Sequence, residues 1–327
     1  MHAGGRLLRL FPCCFWVSKR ILNIVAMGWA GQIPAGSKAG LSFPRPSRLV
    51  LFWEVSLSFF LSDREMSAYQ AKGFLLREGV FSASELSLFR SAAEQAQKDA
   101  VELIRRGAAQ GRKIHPYTLD GNRFADIDFI TVQFEHGLAN DAVRVIEPIN
   151  ELSEPFNALI DEPRLTQPMQ QIVGVDELAL WTAKLNLKPA KEGSGFRWHQ
   201  DSPYWIHDCN HVDQLPNVMV LFDDAGASNG CLRVIQGSHK KGRLPGCEDG
   251  SQLQGFFTHP SAFSAQDQVL MEAPAGSVVF FDPHIVHGSQ PNHSDAPRRA
   301  IIITYQPAGY PALKSRVVRP VAKSFNP

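Results

Sequence analysis

Residues 178–188 read LALWTAKLNLK, an apolar run with polar residues dropped in at alternate positions. Eleven residues of this kind, with Leu, Trp and Thr and neither Gly nor Pro, fit a strand buried on both faces. The same signature returns at 217–222 (NVMVLF), 231–235 (CLRVI), 277–281 (SVVFF) and 300–305 (AIIITY), each time bounded by Gly, Pro, Asn or Asp. Short strands at such spacing predict a β-sandwich or jelly roll.

Upstream the period changes. Ser82-Ala83-Ser84-Glu85 is a capping box, and Leu86, Phe89, Ala93, Ala96, Ala100 and Leu103 follow at helical spacing until Gly107. Residues 71–80 predict a short strand after a turn. Residues 142–160 predict a second helix broken at Pro148 and Pro155, and 163–173 a third. The expectation is a mainly β protein with flanking helices.

Residues 1–53 carry seven Lys and Arg and no Asp or Glu. The remaining chain has 26 basic against 32 acidic residues, so the overall charge of +1 hides a mildly acidic body. Such a body offers no basic field for a nucleic acid backbone. Residues 1–65 are set apart as an N-terminal extension, read as a start-site artefact with Met66 as the first residue, or as a targeting segment. Residues 66–327 are expected to form one domain. The apolar run at 49–61 is too short for a span and holds Glu54, so no membrane span is expected. Five cysteines without a CxxC pair suit a reducing compartment, and the expected location is the cytoplasm.

The chemistry centres on Trp198-His199-Gln200-Asp201. If the segment is extended, His199 and Asp201 face the same side and can each give a ligand to one metal. Alone, this HxD pattern is also compatible with a hydrogen-bonded polar loop. The third ligand is sought in PHIVHGS, residues 283–289, where His287 next to a Gly-Ser turn fits better than His284. Two His and one carboxylate make the facial set that holds iron(II) with positions left open. Arg298, eleven residues after His287 at the start of an apolar strand, has the planar fork that binds a carboxylate bidentately. The other histidines (His207, His211, His239, His259, His293) lie in polar loops or turns, with His207 and His211 the two near enough to WHQD to line a pocket mouth.

From residue 71 to 308 the chain resembles the phytanoyl-CoA dioxygenase family. The resemblance rests on AKGFLLREGVFSASEL, WHQD, SNGCL through GSHK, and HGS followed by RRAI. It implies a double-stranded β-helix core of cupin type. It also implies an iron(II)- and 2-oxoglutarate-dependent hydroxylase that consumes O2 and acts on a small organic substrate: a specialised metabolite, an amino acid derivative or an acyl thioester. Iron would fall to His199, Asp201 and His287, and 2-oxoglutarate to Arg298 with help from Ser289. Locally the sequence is similar to bacterial ectoine hydroxylases, with Trp198 and Trp205 matching and Asn186 standing at the position of a 2-oxoglutarate-binding Asn. Their Gln is Thr182 here. An intact Asp201 implies hydroxylation or another oxygenase outcome rather than halogenation. The alternatives are a metal-binding cupin that does not use 2-oxoglutarate and a non-catalytic binding protein with the same fold.

Overall fold

The computed structural model describes residues 58–136 and 141–322. Most of the expected N-terminal extension, residues 1–57, lies outside them. The elements run α1 (Asp63–Lys72), β1 (Phe74–Arg77), α2 (Ala83–Arg106), β2 (Ile114–Leu119), β3 (Asn122–Ile127), β4 (Ile130–Phe134) and β5 (Val143–Glu147). Then follow α3 (Glu154–Leu159), α4 (Pro163–Val173), β6 (Leu178–Lys188), β7 (Phe196–His199), α5 (Ser202–Trp205), β8 (Asn217–Leu221) and β9 (Leu232–Ile235). The chain closes with β10 (Gln268–Leu270), β11 (Val278–Phe281), β12 (His287–Ser289) and β13 (Arg298–Pro307).

Two antiparallel sheets face one another. The larger has the order β1-β11-β8-β13-β6-β5-β4-β3-β2, the smaller β10-β9-β12-β7. Neighbours far apart in sequence, such as β13 between β8 and β6, are the crossovers expected of a jelly roll. The outer face of the large sheet packs the main apolar core, with Ile127, Ile146, Leu185, Val220, Phe280 and Ile303 fully buried against the helices. A second core, with Met219, Leu221, Val234, Val279, Phe281 and Ile302, fills the space between the sheets.

Helix α2 follows its sequence signal. Ser82 accepts from the Glu85 amide, and Glu85 accepts from the Ser82 amide at 2.8 Å. Its buried stripe is Leu86, Phe89, Ala93, Ala96 and Ala100, and the three alanines let the helix lie close to the sheet. Glu85 also takes Arg164 of α4 at 2.5 Å, so the cap ties two helices together. We expect Ser82→Ala to cost about 1 kcal/mol and to lower the melting temperature by roughly 2–4 °C, read by thermal denaturation.

Two secondary-structure expectations need correction, and the 65/66 boundary meets a helix. The 65/66 boundary falls inside α1, whose capping box pairs Ser62 with Glu65, while Leu61 is buried and Glu65 grips Arg77 of β1 at 2.8 Å. The same helix occupies the start of the stretch read as a strand, leaving Phe74–Arg77. The first half of the helix expected over 142–160 is strand β5, since Val143 and Val145 pair with Phe134 and Gln133 of β4. Strands β2 and β3 carry no clear alternation, because one of their faces is only half-buried, whereas β4 alternates strictly.

Candidate metal centre

His199 ends β7 and His287 begins β12, and the two are direct partners across that strand pair. Opposed antiparallel residues bring their side chains together, and the two imidazole rings lie 4.1 Å apart between centroids. His199 Nδ1 donates to the Arg197 carbonyl at 2.7 Å, and His287 Nδ1 donates to the Ile285 carbonyl at 3.0 Å. A carbonyl can only accept, so both Nδ1 atoms carry the proton and both Nε2 lone pairs are free.

Asp201 does not lie in an extended segment, contrary to the reading that placed it beside His199 by strand alternation. The strand stops at His199, and Asp201 adopts an αR conformation at the start of α5. The amides of Asp201 and Ser202 both donate to the Pro283 carbonyl, at 3.1 and 3.0 Å. Gln200 between the ligands is fully buried and bonds Gly242, Leu244 and His284, which pins this turn. The result still brings the side chains together: potential ligating atoms of His199, Asp201 and His287 lie within 4.8 Å of one another. Among the described residues this is the one such group of three or more His, Cys, Asp or Glu.

The carboxylate is oriented from the large sheet. Asn217 of β8 donates to Asp201 Oδ2 at 2.9 Å and is itself held by Thr304 at 2.6 Å. Lys184 of β6 stands 3.5 Å from Oδ1. Burial pushes the Asp201 carboxyl up, but the neighbouring charges, Lys184 first among them, outweigh it and hold the group below the usual carboxylate range. Burial, and then His287, pushes His199 down to about 3, so its ring is neutral at any ordinary pH. Lys184, Asn217 and Thr304 were not singled out from sequence. Lys184 had a signal, being a cation inside an otherwise apolar strand two residues before Asn186.

The depressed His199 value has a sign. The unfolded chain takes up a proton near pH 6.5 and the folded chain does not until about 3, so protonation favours unfolding between them. The metal-free protein should lose stability as pH falls from 6.5 towards 3. Melting curves of metal-free His199→Ala should fall less steeply across that window; an equal slope contradicts the assignment.

A buried cationic cluster forms where β13 begins. Arg298, the first residue of β13, is buried, with Nη2 donating to the Gly230 carbonyl at 3.1 Å and Nε and Nη1 without a partner. Burial pulls its guanidinium down to about 10. Its neighbour across the strand is Lys188, also buried, which donates to the Ser194 and Gln290 carbonyls and is pushed by burial, then by Arg298 and Arg144, down to about 6. Ser289 is buried and its hydroxyl is unpartnered. Two orphaned N–H groups and a hydroxyl at one buried place suit an incoming carboxylate. Asn186 faces the same side as Lys188 and is half-buried.

The other histidines stay apart from the trio. His284 bonds Asp213 at 2.7 Å. His211 bonds Gln306, stacks on Tyr310 at 4.0 Å and meets Trp181 edge-on at 6.0 Å. His239 meets the Gln70 carbonyl on α1, and His259 caps a short turn at Ser261. No helix among the described residues is long and apolar enough to cross a membrane.

Comparison with known proteins gives this arrangement a family. The model of the phytanoyl-CoA dioxygenase family matches residues 69–300. An ectoine dioxygenase from Bordetella parapertussis is 29% identical over 280 residues, covering 78% of this chain and 79% of that protein. An L-proline trans-4-hydroxylase from Streptomyces griseoviridis is 28% identical over 207 residues, covering 56% and 77%. Among solved structures, EctD from S. alaskensis with 2-oxoglutarate and 5-hydroxyectoine has a TM-score of 0.54 at 23% identity, over 76% of this chain and 77% of that one. The non-heme alpha ketoglutarate dependent carbocyclase SnoK from nogalamycin biosynthesis has a TM-score of 0.56 at 18% identity, over 80% and 97%. These structural likenesses identify the shared fold as the double-stranded β-helix core of such dioxygenases. With its family model matched over most of its length, the chain belongs to the phytanoyl-CoA dioxygenase family.

Proposed function

We propose that this protein is an iron(II)- and 2-oxoglutarate-dependent dioxygenase that hydroxylates a small organic substrate. The observation that carries the reading is the close set of His199, Asp201 and His287, and the buried, half-unpartnered Arg298 supports it. The donor set fits the group: two imidazoles and a carboxylate make the N2O face that iron(II) takes in oxygenases. With iron(II), 2-oxoglutarate and oxygen bound, such a site couples decarboxylation of the cosubstrate to oxygen insertion at a substrate C–H bond.

The chain's own residues have separable roles in this proposal. His199, Asp201 and His287 hold the metal. Asn217 and Lys184 fix the rotamer and charge of Asp201, and the carbonyls of Arg197 and Ile285 fix the imidazole tautomers. Arg298 and Ser289 receive the far carboxylate of 2-oxoglutarate, and Asn186 is placed to hydrogen-bond it. Trp205, Trp181 and Leu215 form a small apolar cluster, and the Trp205 ring lies 5.1 Å from the Lys184 ammonium that faces Asp201. A cupin that does not use 2-oxoglutarate would have no use for orphaned donors at Arg298.

Purified protein incubated in air with iron(II) and 2-oxoglutarate should release succinate, faster when substrate is added. Tight iron binding without any succinate would reject the reading. The three described cysteines are free thiols and suit our placement of the protein in the cytoplasm.

A further inference from the structure

We propose that 2-oxoglutarate enters its site together with one proton, which Lys188 takes up at Nζ from solvent as the far carboxylate reaches Arg298; this rests on the oxygenase reading above. The placement follows from register. Lys188 ends β6 directly opposite Arg298, the first residue of β13, and both side chains are buried. The two grip neighbouring backbone. Arg298 Nη2 donates to the Gly230 carbonyl at 3.1 Å, and Lys188 Nζ donates to the Gln290 carbonyl at 2.5 Å. A Cβ at Gly230 would lie 2.2 Å from that Gln290 oxygen and 3.0 Å from Nζ, so no side chain fits between them.

A third cation, the buried Arg144 of β5, shares an aromatic face with Lys188. Its guanidinium lies 3.8 Å from the centre of the Phe196 ring, and Lys188 Nζ lies 5.5 Å from the same ring. Arg233 of β9 adds a fourth positive charge within range of Nζ. One carboxylate offsets them, Glu135, and it bonds the Ser194 amide at 2.9 Å. Two further groups at the cluster carry no charge at neutral pH: burial pushes the Cys231 thiol up and the His136 imidazole down.

Arginine keeps its proton at neutral pH, so the repulsion is relieved at Lys188. The hydrogen bonds agree. Nζ has two carbonyl acceptors, Ser194 at 2.9 Å and Gln290. A neutral amine has two N–H groups and satisfies both, whereas an ammonium brings a third. Burial and the neighbouring cations hold Lys188 at about 6, so the amine prevails in the ligand-free protein at neutral pH.

A carboxylate on the unpartnered Nε and Nη1 of Arg298 reverses this balance. Negative charge beside Nζ raises its proton affinity, and a proton follows the ligand. A group whose pKa rises on binding favours binding at low pH and loses that advantage as pH climbs past its ligand-free value. Affinity for 2-oxoglutarate should therefore fall by up to about tenfold per pH unit between about pH 6.5 and 8.5. Both carboxyls of 2-oxoglutarate are ionised throughout that window and contribute no proton.

The test is anaerobic calorimetric titration of full-length, iron(II)-loaded protein with 2-oxoglutarate at about pH 7.5, in Pipes and in Tris. The difference in heat between buffers of small and large ionisation enthalpy counts the protons exchanged. Wild type should take up roughly one. Lys188→Gln keeps two N–H donors for Ser194 and Gln290 and cannot be charged, so it should take up none, and its affinity should stay within about twofold across the window. Binding with well under half a proton in the wild type, or uptake that persists in Lys188→Gln, overturns the proposal and leaves the oxygenase reading standing. Absence of 2-oxoglutarate binding in the wild type rejects that reading, and this proposal with it. If the variant does not fold, lysine-labelled, zinc-loaded wild type decides: the lysine Cε signal that titrates at about 6 should move on adding 2-oxoglutarate, and a fixed signal overturns the proposal.

Discussion

Alanine at His199 or His287 is expected to abolish turnover and to weaken iron(II) binding by at least about 100-fold. Each substitution removes one of three protein ligands and leaves Asp201 facing Lys184 and a single imidazole. Loss of ligand-supporting partners alone costs roughly 10–100-fold in other metal sites, so loss of a ligand should exceed that. The check is metal content after gel filtration together with succinate release. His284→Ala serves as the contrast, because that ring is committed to Asp213 and should leave metal content unchanged. Equal metal content in His199→Ala and wild type would sink the ligand assignment.

Arg298→Met should raise the KM for 2-oxoglutarate by roughly 30- to 1000-fold, the range expected for a lost charge-assisted pair worth about 2–4 kcal/mol. It should act oppositely on the ligand-free fold. Arg298 is buried with two N–H groups unpartnered, and an apolar side chain of similar length removes that burden. The ligand-free variant should thus melt no lower than wild type, while the stabilisation that 2-oxoglutarate gives the wild type disappears. A variant that melts several degrees lower and keeps its KM would mark Arg298 as a structural residue.

What the sequence disclosed depends on which face of each strand is buried. Strands β6, β8, β11 and β13 are largely buried on both faces and were legible as runs. Helix α2 announced itself through its cap and its 3.6-residue stripe. Strands β2 and β3 were silent because one face is only half-buried, so Tyr117, Phe124 and Asp126 interrupt any simple alternation. Strand β5 read as helix because Val143, Ile146 and Ile149 fall at helical spacing, and only its pairing with β4 and β6 overrides that pattern.

The site was legible as a set of residues more than as a geometry. The HxD pair was found, but on the wrong conformational argument: the turn at Gln200, held by Gly242, Leu244 and His284, does what strand alternation was expected to do. Those partners are more than forty residues away in sequence, and no local pattern reports them. Lys184 and Asn217 become visible only when β6, β13 and β8 are laid side by side, since each acts across the sheet on Asp201.

The central claim is that His199, Asp201, His287 and Arg298 form one iron and 2-oxoglutarate site. Anaerobic titration of the purified protein with iron(II) and 2-oxoglutarate, followed in the visible range, tests it directly. The account predicts a charge-transfer band of the chelate in the wild type, its absence in His199→Ala, and its displacement to much higher 2-oxoglutarate concentration in Arg298→Met. No band in wild-type protein shown to hold iron would contradict it.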